Sequence, residues 1–161
     1  MHRQYRHDPG RPLPGRRMKG FVVDASVGVK WLVTEPLSAE SATLLDSDAT
    51  LLVPDLFFAE ASSALAAKHR HGEMSREELA EAVDLLRVAP VATPLSMRQL
   101  ASSAARLAVD LGHPLYDCFY LALAIHEDYP VVTADTRFYE KVSRHPYLGD
   151  RVVHVGDLGS A

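Results

Sequence analysis

"FVVDASVGVKWLV" (residues 21–33) runs three apolar residues straight into Asp24, then a small-residue turn, then a segment of helical character. This reads as a short buried strand closed by a carboxylate and followed at once by a helix. The pattern returns downstream. "TLLVPD" (50–55) is a strand closed by Pro54, with Asp55 placed to cap "LFFAEASSALAAKHRHG" (56–72), which Gly72 ends. "PVVTAD" (130–135) is a strand ending in Asp135, followed by the helix "TRFYEKVSR" (136–144), and "RVVHV" (151–155) is a final strand.

Helices fill the spaces between. "LSAESATLLDS" (37–47) is read as a helix with Ala39, Ala42 and Leu45 on one face. Ser75 and Glu78 form a capping box at the start of "REELAEAVDLLRV" (76–88). A short extended piece, "VATP" (91–94), leads to "SMRQLASSAARLAVDLG" (96–112), and "PLYDCFYLALAIHED" (114–128) opens with Pro114 in the first turn. Alternating strands and helices with short apolar strands imply a mainly parallel sheet covered by helices. In such sheets ligands bind outside the carboxyl ends of the strands, where Asp24 and Asp135 both stand.

Composition narrows the class. The 161 residues suffice for one domain with a substantial core, and 47% hydrophobic against 24% charged residues is ordinary for a globular chain. A single cysteine, Cys118, excludes an internal disulfide and cysteine-rich zinc sites, and a reducing cytoplasm is the expected location. No apolar run is long enough to span a membrane. Residues 1–20 hold six of the 17 Lys/Arg and one of the 21 Asp/Glu, a local +5, which leaves 11 and 20, or −9, for the rest. Such an acidic body does not suit a passive nucleic-acid binder but suits a protein that gathers carboxylates around a cation. Residues 1–18 are expected to be a flexible basic extension or the product of a start codon assigned too early, with Met18 the true initiator; 19–161 are expected to form a single domain.

Two further acids are oddly placed. Glu60 falls on the expected apolar stripe of Leu56, Ser63, Ala64 and Ala67, where an unpaired carboxylate is costly. Asp117 lies in the first turn of its helix, in line with Leu121, Ala124 and Ile125. Singly, each acid has an ordinary explanation as a helix cap or a helix-dipole residue. Helices that follow parallel strands begin at the rim where those strands end, so all four can converge, and four carboxylates raise one another's pKa unless a cation joins them. An oxygen-only set points to Mg²⁺ or Mn²⁺.

"FVVDASVGVKWLV", "VPDLFFAEASSAL", "GHPLYDCFYLALA" and "VVTADTRF", in this order, resemble the four motifs of the PIN domain family, and more narrowly those of VapC-type toxins, the nuclease half of toxin–antitoxin pairs. The likeness covers about residues 19–157. It implies a three-layer α/β/α sandwich with a mainly parallel central sheet. It implies a catalytic, metal-holding cluster of Asp24, Glu60, Asp117 and Asp135, with supporting hydroxyls at Ser26 and Thr133. The implied activity is Mg²⁺- or Mn²⁺-dependent endoribonuclease cleavage of RNA by activated water, leaving a 5′-phosphate and a 3′-hydroxyl. A VapB-type antitoxin and a homodimer are the implied partners. Where relatives often carry an Asn shortly after the glutamate, this chain has Ser62 and Ser63. Lys30 and Arg137 are candidate RNA contacts.

Rival readings are weaker on particular residues. A haloacid-dehalogenase-like nucleophile at Asp24 calls for a second acid two positions on, where Ser26 stands. A receiver domain calls for a lysine at a later strand end, and "VVTAD" offers none. A catalytically idle PIN-like module that binds RNA or protein is the remaining alternative, and metal-dependent cleavage separates it from the enzyme.

Overall fold

The computed structural model describes residues 19–159, so the basic opening segment expected over 1–18 lies outside the described residues. Four strands, β1 (Gly20–Val23), β2 (Thr50–Leu52), β3 (Val131–Thr133) and β4 (Val152–His154), form one sheet in the order β2-β1-β3-β4, every pair parallel. The helices are α1 (Ala25–Gly28, continued by a 3₁₀ turn Val29–Trp31), α2 (Ser38–Leu45), α3 (Leu56–Arg70), α4 (Arg76–Arg87), α5 (Met97–Leu111), α6 (Leu115–Glu127) and α7 (Thr136–Ser143). Successive strand residues face opposite sides, yet Val22, Val23, Val131 and Val132 are all fully buried. Both faces of the sheet are therefore covered, and the architecture is the three-layer sandwich expected.

The strand order places the site. From β1 the chain moves outward to β2, then returns past β1 to lay down β3 on the other side. The crevice between the carboxyl ends of β1 and β3 is the switch point of the sheet. Asp24 follows β1 directly, and Asp135 caps α7 just beyond β3.

Packing below this rim is dense. Helix α6 is buried continuously from Cys118 to Ala124, as befits a helix apolar on all sides. Gly28 lets α1 press against α3: a Cβ there would lie 2.5 Å from the ring of Phe57. That ring is fully buried and flanked by Trp31 and Phe58, so it has no room to retreat. Gly28→Ala is expected to lower stability by about 1–3 kcal/mol through overpacking, read as a drop in thermal midpoint.

Several local expectations hold and others do not. Glu78 N donates to Ser75 Oγ at 3.0 Å and Ser75 N to Glu78 Oε2 at 2.7 Å, completing the capping box of α4. Ser96 and Gln99 make a second box on α5 that the sequence reading passed over. Asp55 makes no side-chain cap bond; its own backbone is already helical at φ −55°, ψ −26°, which points its carboxylate away from the first-turn N–H groups. On α2 the buried residues are Ser41 and Leu44, not Ala39 and Leu45. On α3 the buried row is Phe57, Ala61 and Leu65, one position round from the stripe expected, and Glu60 sits half-buried beside it.

Candidate active site

Asp24 is 5% exposed and is one of three buried polar residues among those described. Two hydroxyls converge on one of its oxygens: Ser26 Oγ donates to Oδ2 at 2.6 Å and Thr133 Oγ1 at 2.7 Å. Each hydroxyl is itself held by the backbone beyond β3. Ala134 N donates to Ser26 Oγ and Asp135 N to Thr133 Oγ1, both at 3.0 Å. Two short relays thus pass from the end of β3 through a hydroxyl to the carboxylate at the end of β1, and such chains strengthen each member. Oδ1 takes no protein donor among the described residues.

Among the described residues the other acids each have one hydrogen-bond partner for the side chain. Tyr120, fully buried in α6, donates its hydroxyl to Glu60 Oε1 at 2.7 Å. His113 Nε2 lies 2.6 Å from Asp117 Oδ2, and its ring stacks on buried Phe138 at 5.3 Å between centroids. Asp135 accepts the N–H of Phe138 on Oδ1 at 3.1 Å, capping α7. With every carboxylate turned toward a donor, no three acidic, histidine or cysteine side chains among the described residues close around a common point.

Electrostatically the cluster is coupled. Burial, reinforced by the charges of Asp117 and Glu60, pushes Asp24 up to about 6 despite its two hydroxyl donors. Burial also raises Glu60 against the Tyr120 bond, with Asp117 adding to the shift. Asp117 is raised by burial and by Asp135, against the pull of His113. Asp24, Glu60 and Asp117 therefore repel one another directly, and Asp135 joins through Asp117. An oxygen-only set in which Asp24, Glu60 and Asp117 are all raised toward protonation, with Oδ1 of Asp24 still unengaged, suits a hard divalent cation.

Asp117 and Asp135 open onto a cleft of about 720 Å³ whose walls include His113, Arg137, Lys141 and Arg144. Arg137 thus stands beside the acids. Lys30 does not line this cleft; its Nζ pairs with Glu35 at 2.9 Å, and its side chain is 11% exposed. The sequence reading missed His113 and Tyr120. Their partners lie four and 60 positions away respectively, and only the first spacing was visible along the chain.

The PIN domain profile matches residues 21–143. The chain belongs to the PIN domain family. Solved structures similar to this PIN domain include PAE2754 from Pyrobaculum aerophilum (TM-score 0.61, 18% identity, covering 92% of this chain and 95% of that one). VapC20 of Mycobacterium tuberculosis, described as a sarcin–ricin loop cleaving toxin, aligns at TM-score 0.58 and 14% identity over 76% of this chain and 94% of its own. VapBC2 from Rickettsia felis, solved on a DNA fragment from its promoter, aligns at TM-score 0.59 and 13% identity over 84% of this chain and 98% of its own. No curated protein matches in sequence. Among the described residues no helix is long and apolar enough to cross a membrane.

Proposed function

We propose that this PIN domain, residues 19–161, is the toxin of a VapBC-type pair: a cytoplasmic Mg²⁺- or Mn²⁺-dependent endoribonuclease. The observation that carries the reading is the buried Asp24 carboxylate, fixed through Ser26 and Thr133 and set among three further acids at the sheet's switch point. Asp24, Asp117 and Asp135 would hold the cation. When bound, a divalent ion of this kind neutralises charge on the scissile phosphate and makes water a better nucleophile.

The chain's own residues do the rest. Glu60, anchored at Oε1 by Tyr120, keeps its second oxygen to orient the attacking water or to complete the ligand set. His113 steadies Asp117, and the two hydroxyls steady Asp24. Attack at phosphorus with departure of the 3′ oxygen leaves a 5′-phosphate and a 3′-hydroxyl. The likeness in fold to VapC20, a sarcin–ricin loop cleaving toxin, supports RNA as the substrate class, and the likeness to VapBC2 supports an antitoxin partner; a homodimer is proposed by resemblance to the family.

The test is cleavage of a mixed RNA pool by purified, antitoxin-free protein with Mg²⁺, with Mn²⁺ and with EDTA. Cleavage that needs the ion and yields 5′-phosphate ends is expected. A folded protein that cuts nothing with either metal would instead be an RNA- or protein-binding module.

A further inference from the structure

Helix α7 carries a charge pattern that the acid cluster does not use. Arg137 and Lys141 on α7 and Arg144 at its C-cap, spaced four and three apart, fall on one side and line the cleft beside Asp117 and Asp135. Phe138 and Val142, about a third of a turn round from the cations, are buried in the core, so the packing of the helix keeps the three cations outside it. None of the three has an ion-pair partner among the described residues; Lys19, Arg70, Arg76, Arg98 and Arg106 share that state, but none of them lines this cleft. Glu140 also lines the cleft, so its walls balance three cations against three carboxylates. This balance stands out in a body that is otherwise strongly acidic.

We infer that this face of α7 is the docking rail for the phosphate backbone of the RNA strand, on one side only of the phosphate being cut. The inference rests on the nuclease reading above and adds to it where the strand runs. Asp135 caps the N-terminus of α7, so the rail begins at the acid cluster and leads away from it over roughly 10 Å, the rise of seven helical residues. Two of the three wall carboxylates, Asp117 and Asp135, belong to the proposed cation site. A bound divalent ion offsets their charge and turns the balanced cleft into a cationic one. Ion loading and strand capture are therefore coupled through charge alone. An acidic peptide would find the same cations, but the extended row beside phosphodiester-cutting machinery favours a strand whose charges repeat along its length.

The test measures binding of a fluorescein-labelled single-stranded RNA oligonucleotide by anisotropy across a salt series. It uses the full chain in an Asp24→Asn background that prevents turnover, with and without Lys141→Ala and Arg144→Ala. Each substitution should weaken binding and flatten the slope of log K against log salt by about 0.7, the single-strand value per phosphate contact. Thermal midpoint should stay unchanged, and Mn²⁺ affinity measured in the Asp24 protein should hold or rise, because the ion is freed of two nearby positive charges. Trimming the oligonucleotide from one end should weaken the parent and leave the double variant nearly indifferent. An unchanged slope in the double variant overturns the rail. So does a variant that loses only a poly-glutamate competitor and keeps its RNA affinity. Because binding is read apart from turnover, flattened slopes in a protein that cuts no RNA would sink the nuclease reading and leave the rail standing.

Discussion

Asp24→Asn is expected to abolish RNA cleavage and, in the same protein freed of metal, to raise the thermal midpoint. The first effect follows from losing the charge at the most buried of the four acids; because loss of a mere partner of a ligand costs 10–100-fold, loss of the ligand's charge should cost at least about 100-fold. The second follows from linkage. Asp24 titrates near 6 in the fold against an ordinary 3.8, because burial disfavours its charged form. A raised acid binds more protons folded than unfolded between those values, so stability of the metal-free protein falls as pH climbs from about 4 to about 6. Above that window the full penalty, about 3 kcal/mol, is present. Asparagine keeps an oxygen for Ser26 and Thr133 while removing the charge. Its amide brings an unpaired donor that offsets part of the gain, leaving a rise of several degrees at pH 7.5, readable by thermal melts in EDTA. The variant should also show a shallower decline in midpoint between pH 4 and 6, since Glu60 and Asp117 remain raised but Asp24's share is gone. A variant that melts lower than the parent at every pH would show that the carboxylate is structural rather than strained.

His113→Leu should weaken Mn²⁺ binding by roughly 10–100-fold, the effect of removing a group that orients a metal ligand. The leucine retains apolar contact with Phe138, so the fold should keep its melting temperature within a few degrees, while Asp117 loses the donor that counters its burial. Calorimetric titration with Mn²⁺ separates the outcomes. An affinity equal to the parent's, with cleavage intact, would reduce His113 to a packing residue.

The rim of the sheet was legible because its signals are local. Asp24 and Asp135 each follow a short apolar strand, and the rule for parallel sheets says which end of the strand matters. Asp117 and Glu60 could be flagged as acids on elements otherwise apolar. Faces of helices were harder to assign. On α2, alanines and leucines occupy nearly every side, and Leu37, with φ +70°, sets the helix entering at an angle that turns Ser41 and Leu44 inward. On α3, aromatic Phe57 takes the core position that the smaller residues of the expected stripe could not fill. The bond between Tyr120 and Glu60 joins residues 60 apart, and no spacing along the chain announces it. His113 stands before its helix begins, so its reach to Asp117 is helical in spacing without being helical in place.

The strand order also sets a schedule. The Thr133 hydroxyl that steadies Asp24 is 109 positions downstream, and β1 cannot gain its β3 neighbour until that segment exists. At ordinary translation speeds the interval is roughly 5–20 s. Throughout it the growing polypeptide carries Asp24 without half of its support, and Asp135 is not yet made. On the nuclease reading, the capacity to cut is thus withheld until β3 is made, and a truncated product ending before β3 is expected to be inert.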